Sequence, residues 1–174
     1  MTAIARPVQG TYPPYFDTYI SLVKGEDIYI ELYQAYMDTM ELVTSLDPET
    51  LHYRYAEGKW TILDILQHVM DTERIFCYRA LCFARKESQA LPGFEENDYA
   101  ASGNATGRNI NDMVREFSLL RASTIELFKS FTAEMMDQSG NANGKPVTPK
   151  ALLFSILGHE LHHRKIMHER YLND

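Results

Sequence analysis

Three things are scarce in this chain: cysteine, basic excess and long apolar runs. Each shortage removes a class of protein. The two cysteines, Cys77 and Cys82, fall within one helical pattern. Five residues apart on a helix, their side chains point in different directions, a poor geometry for a disulfide, so they read as reduced thiols. A formal net charge of −7 leaves no basic stripe for a phosphate backbone, which sets nucleic acid aside as a partner. No uncharged apolar segment reaches the roughly 18 residues of a membrane span. Met1 to Gly10, with Arg6 and Pro7, lacks the apolar run of a signal peptide. A cytoplasmic location without membrane attachment is therefore expected. Blocks of like charge, internal repeats and low-complexity tracts are missing as well, so disorder is not expected beyond the ends.

What remains is the composition of an ordinary globular chain of 174 residues, read as a single domain over 1–174. Residues 1–24, with Pro7, Pro13, Pro14 and several tyrosines, read as an N-terminal arm packed on the surface. From about Asp27 to Leu46, Ile28, Leu32, Ala35, Leu42, Val43 and Leu46 keep helical spacing, and Asp47-Pro48 ends the run. Thr61 with Asp64 three residues on is a capping-box signature. It opens a second helix that reaches about Arg85 and carries an apolar face interrupted by His68. The pattern then breaks over about Lys86–Arg108. A link of about two to eight residues would make a hairpin, so about twenty point to a crossover that leaves helices 2 and 3 parallel, or to a lid over a pocket. Helix 3 is expected over about Asn109–Glu134. Gly140-Asn141-Ala142-Asn143-Gly144 reads as loop, and no strand is expected. Thr148-Pro149 is an N-cap followed by proline at the first helical position, and helix 4 should run to about Tyr171. Four helices with one long connection make an all-α four-helix bundle.

Helix 4 holds Gly158-His159-Glu160-Leu161-His162-His163. His159 and His163 are one turn apart and lie above one another on one face. Two neutral imidazoles so spaced can bind one zinc-like cation at about 2.0–2.1 Å. They stand where the flanking Leu152, Ile156 and Ile166 make core positions, and a buried imidazole without a partner is costly. His68 is the candidate third ligand. At about 1.5 Å per residue, an antiparallel placement of helices 2 and 4 brings the three to similar heights, and a parallel one does so slightly less well.

Lys59-Trp60-Thr61-Ile62-Leu63-Asp64-Ile65-Leu66-Gln67-His68, followed by Asp71-Thr72-Glu73-Arg74 and then the histidine stretch of helix 4, resembles the DinB/YfiT-like superfamily of bacterial metalloenzymes. The resemblance covers about Asp27 to Tyr171, and Tyr78-Arg79-Ala80-Leu81, Leu91-Pro92-Gly93-Phe94 and Glu169-Arg170-Tyr171 are similar to one branch of it. It implies up-down-down-up connectivity with a long crossover after helix 2. It also implies one divalent metal ion on His68, His159 and His163, with zinc or nickel foremost and manganese or iron next. Members with known activity include transferases that attach a small thiol to an electrophile. A small-molecule thiol and an electrophile are thus the expected partners. The oligomeric state stays open, with a homodimer one option because bundles with a wide apolar face often pair.

Three neutral histidines leave a divalent ion its full charge and an open position, which suits deprotonation of a thiol or of water. A thiol-dependent S-transferase is the leading expectation. A metal-dependent hydrolase and a non-catalytic metal-binding stress protein are the alternatives. One hydrolase variant is specific, because His159-Glu160-Leu161-His162-His163 satisfies H-E-x-x-H, the zinc-protease helix in which the glutamate is general base. Its extended form has glycine and histidine where this chain has Ile166 and Glu169. Asp71 is placed either to orient an imidazole or bound ligand, or to be a solvated helix carboxylate. Arg121 either meets a substrate carboxylate or pairs with a neighbour. His162 points about 100° away from His163 and is assigned to the surface or to supporting contacts. Trp60, Tyr53 and Tyr55 are core packing or a pocket wall, and His52 and His168 receive no role.

Overall fold

Four capped helices carry the architecture: α1 (Ile28–Ser45), α2 (Ile62–Ala84), α3 (Ile110–Lys129) and α4 (Pro149–Met167). The structure is a computed structural model that describes residues 4–172. The ends of the 1–174 domain and of the 1–24 arm, residues 1–3 and 173–174, lie outside the described residues. Each helix begins where a side-chain oxygen takes up a free backbone N–H. Asp27 accepts from Tyr29 and Ile30, and Asn109 from Asn111. Thr61 and Asp64 form the reciprocal capping box, and Thr148 accepts from Ala151 ahead of Pro149.

Long-range pairs fix the directions. Arg108 with Gln67, Glu116 with Arg74, Thr124 with Cys77 and Met135 with Arg85 rise together in number, so α2 and α3 run parallel. Trp60 with Tyr171 and His68 with His159 run oppositely, so α2 and α4 are antiparallel. Leu32 and Tyr36 of α1 meet Arg121 and Phe117 of α3 in antiparallel order. The result is a four-helix bundle with up-down-down-up order, joined between α2 and α3 by the long crossover.

Two apolar clusters fill the bundle, one with Leu32, Phe76, Phe83, Phe128 and Leu152, the other with Val43, Ile62, Leu66, Phe117 and Met167. A buried polar belt of Thr39, His68, Glu73, Arg121, His159, Glu160 and His163 interrupts the helices that carry them. Among the described residues no helix is long and apolar enough to cross a membrane.

The structure corrects several boundaries. Gly140–Ala142 and Lys145–Val147 are not loop but a short antiparallel hairpin, β1 and β2. Its turn, Asn143-Gly144, has both φ values positive (51° and 73°), the geometry that matches strand twist in two-residue turns. Helix 3 ends at Lys129, and a separate short helix, Ala133–Asp137, follows, capped by Thr132. The crossover contains a helix at Glu96–Ser102 and is tied to the hairpin through Leu91, whose N–H and C=O pair with Asn141 and Asn143. The arm is more than a surface strap. Helical turns at Pro14–Phe16 and Asp17–Ile20 bury Phe16 and Ile20 in the first cluster, and the segment after them buries Val23 there, each burial contributing about 1.5–3 kcal/mol.

The close approach of this arm depends on Gly158. A Cβ at that position would lie 2.1 Å from the Tyr19 carbonyl oxygen. The missing side chain lets the arm cross α4 one residue before His159.

Candidate metal centre

His68 from α2 and His159 and His163 from α4 converge in the polar belt, with one nitrogen of each within 4.8 Å of the others. His68 Nε2 lies 3.0 Å from His159 Nε2, and His163 Nε2 lies 3.1 Å from that same atom. All three rings are nearly sealed from solvent (6%, 4% and 9% exposed). Burial pushes the His68 pKa down to about 4 and that of His163 to about 3. His159 is driven well below the usual histidine range, first by burial and then by His163, His68 and His162. At neutral pH the cluster is uncharged and its lone pairs are available.

The donor set fits a divalent cation on two observations. A neutral imidazole nitrogen offers either one hydrogen or one lone pair, so His159 Nε2 cannot hydrogen-bond both neighbours. One central ion would engage all three. With bonds of about 2.0–2.1 Å, ligand nitrogens lie about 2.9 Å apart at right angles and about 3.4 Å apart at tetrahedral angles. The observed 3.0 and 3.1 Å fall within that range. His163 Nδ1 is buried and without a hydrogen-bond partner. The ring is held by packing, with Trp60 stacked at 6.4 Å and His162 edge-on at 5.2 Å.

The site residues named from the sequence separate cleanly. Glu160 follows His159 by about 100° around the helix and faces away from the cluster. Its Oε1 accepts from Thr39 Oγ1 at 2.7 Å, and its Oε2 lies 2.8 Å from Arg121 Nη1, a charge contact without hydrogen-bond alignment. Arg121 also donates from Nε and Nη2 to the Glu73 carboxylate (3.1 and 2.7 Å) and from Nη1 to the Leu32 carbonyl (2.7 Å). Burial raises the Glu160 pKa against the pull of Arg121, while the two carboxylates, acting against burial, hold Arg121 firmly protonated. Arg121 therefore pairs with neighbours and does not reach a substrate, and Glu160 is not placed as general base of a zinc-protease helix.

Asp71 accepts from Gln67 Nε2 at 2.9 Å and pairs with Arg74 at 3.2 Å, part of a network near the surface. His162 is half-buried, edge-on to Tyr19. Trp60 forms a wall, its ring 4.8 Å from that of His68. Tyr53 and Tyr55 pack edge-on against Tyr171. The His52 ring nitrogens lie 2.7 Å from the Pro48 carbonyl oxygen and 3.2 Å from that of Thr106.

Sequence reasoning missed the other wall. A cavity of about 120 Å³ reaches His68 and His159 and is bounded by Tyr19, Thr72, Phe94 and Arg79. A second, of about 220 Å³, touches His163 beyond Trp60. The signal for Thr72, Phe76 and Arg79 was present, since steps of four, four and three from His68 keep one face of α2. Tyr19 carried no such signal, because its ring meets His159 only through the arm's crossing of α4.

Fold and cluster together define a helical bundle with a buried three-histidine centre. The family model described as the DinB superfamily matches residues 31–167, and the chain belongs to that superfamily. It is 26% identical over 125 residues to an Oceanobacillus iheyensis protein named "Putative metal-dependent hydrolase OB0413", covering 71% of each chain. The fold is similar to that of YfiT from Bacillus subtilis, described as a probable metal-dependent hydrolase with an unusual four-helix bundle topology. The TM-score there is 0.75 at 14% identity, over 97% of this chain and 93% of that one.

Proposed function

We propose that this protein is a divalent-metal-dependent S-transferase, in which His68, His159 and His163 hold zinc or nickel and a small thiol attacks a small electrophile. One observation carries the reading. Three neutral imidazoles meet at the edge of a cavity, while the carboxylates adjacent to them in sequence are engaged elsewhere, Glu160 and Glu73 with Arg121 and Asp71 with Gln67 and Arg74. A divalent ion there would supply Lewis acidity, which deprotonates a thiol of ordinary pKa near 8.5 without a separate base. The protein's own part is orientation and exclusion of water. Trp60 closes one side of the cluster, the Tyr19 ring stands edge-on to His159 at 5.2 Å, and the cavity admits the reactants from the side of His68 and His159.

A second reading, metal-dependent hydrolysis, is supported by the names given to the Oceanobacillus relative and to YfiT. The two are separated by thiol dependence. Purified protein is assayed with 1-chloro-2,4-dinitrobenzene and a panel of small thiols, and in parallel with nitrophenyl esters. Transfer predicts a rate that saturates with one thiol, disappears with a chelator and returns with metal. Ester cleavage indifferent to thiol would favour hydrolysis and overturn the transferase reading.

A further inference from the structure

Arg79 is a buried cation with no anion. It is 6% exposed, yet among the described residues no carboxylate lies within ion-pair distance. Its Nη2 donates to the Pro92 carbonyl at 2.7 Å, and the guanidinium sits 5.9 Å from the centre of the Phe94 ring. Nε and Nη1 have no partner in the described protein. Those two nitrogens are not sealed in protein, so the guanidinium, which stays protonated, keeps an open face for a partner. The contrast is with Arg121, 1% exposed and balanced by Glu73 and Glu160. Arg79 lines the cavity that reaches His68 and His159. Between them on the same face of α2, Thr72 also lines it, buried, with its hydroxyl unpartnered.

We propose that this cavity receives a short-chain monocarboxylate, its charged end on Arg79, its middle beside Thr72 and its far end at the histidine cluster. A planar carboxylate matches the free fork of a guanidinium. Exposed Glu96 at the rim opposes a second negative charge, which favours a carboxylate over a phosphate. Arg79 is eleven residues beyond His68, about 16 Å along the helix axis. The long arginine side chain leans back toward the helix N-terminus and closes part of that span; the cavity of about 120 Å³ is smaller than the roughly 150 Å³ that holds a benzene, so it takes a molecule of about six heavy atoms. The surrounding aromatics, Phe76 and Phe94 among them, suit an apolar body. The far end's role rests on the metal reading above; the anion site does not.

The test is calorimetric titration of the purified full chain with butyrate and with butyramide, which share shape and differ in charge. The acid is expected to bind roughly ten- to a hundredfold more tightly, the range of a charge-assisted hydrogen-bond pair. Arg79→Gln should abolish this preference without changing metal content. Glu96→Gln, at an exposed position, should tighten the acid about twofold and leave the amide alone. His159→Ala should keep the preference even if metal is lost, so the anion site survives a failure of the metal or transferase reading. Equal binding of acid and amide, or binding of neither, overturns the proposal. So does a preference that persists in Arg79→Gln, or one that vanishes in His159→Ala, which would put the carboxylate on the metal. Should Arg79→Gln fail to fold, Glu96→Gln decides, and an unchanged acid affinity counts against the site.

Discussion

Gly158→Ala separates helix propensity from packing at the place where the arm crosses the site. Propensity alone predicts stabilisation, because alanine inside a helix is favoured over glycine by about 0.5–1 kcal/mol. Geometry predicts the reverse. The added Cβ would stand 2.1 Å from the Tyr19 carbonyl oxygen and 2.4 Å from its carbon, about 1 Å inside ordinary contact, and the obstacle is backbone. Relief requires the arm to lift, loosening Phe16, Ile20 and Val23 from the first core cluster. Overpacking of this kind costs about 1–3 kcal/mol, so the net expectation is a loss of about 1–2 kcal/mol. For a chain of this length that lowers Tm by roughly 2–8 °C. Thermal unfolding followed by circular dichroism reads the sign directly. A Tm raised by a few degrees would refute the crossing as described.

Other perturbations follow from the buried polar belt. In chelator-treated protein, His68 has a folded pKa near 4 against 6.5 unfolded. The unfolded chain therefore takes up the proton first, and stability is full above pH 6.5 and lost as pH falls toward 4. His68 alone accounts for about 3 kcal/mol of that loss, and a urea midpoint unchanged between pH 7 and 4.5 would contradict it. Arg121→Met leaves Glu73 and Glu160 buried without their cation and should cost about 3–5 kcal/mol in urea unfolding; a loss under 1 kcal/mol would show that the pair is not buried as described. Glu160→Gln should keep any metal-dependent turnover within about tenfold of the parent, whereas loss of a general base costs about a hundredfold or more.

Much of this was legible in the sequence for local reasons. Thr61 with Asp64, and Thr148 with Pro149, announce helix starts because capping is written in adjacent residues. The three histidines stood out because they broke apolar faces at helical spacing. Partners distant in sequence were hidden. Nothing near Arg121 announces Glu73 or Glu160, since that grouping exists only once α2, α3 and α4 pack. The hairpin carried an Asn-Gly signal, but three-residue strands, one holding Pro146, are too short for alternation to register. In the arm, Phe16, Ile20 and Val23 kept helical spacing, masked by Pro13 and Pro14.

The central claim is that His68 on α2 shares one metal ion with His159 and His163 on α4. Elemental analysis of tag-free protein purified without added metal, compared with His68→Ala at pH 7, tests it most directly. The account predicts near one equivalent of a divalent metal in the parent and its loss in the variant, with the variant still helical. Full metal retention in His68→Ala would make His68 a core histidine and contradict the account.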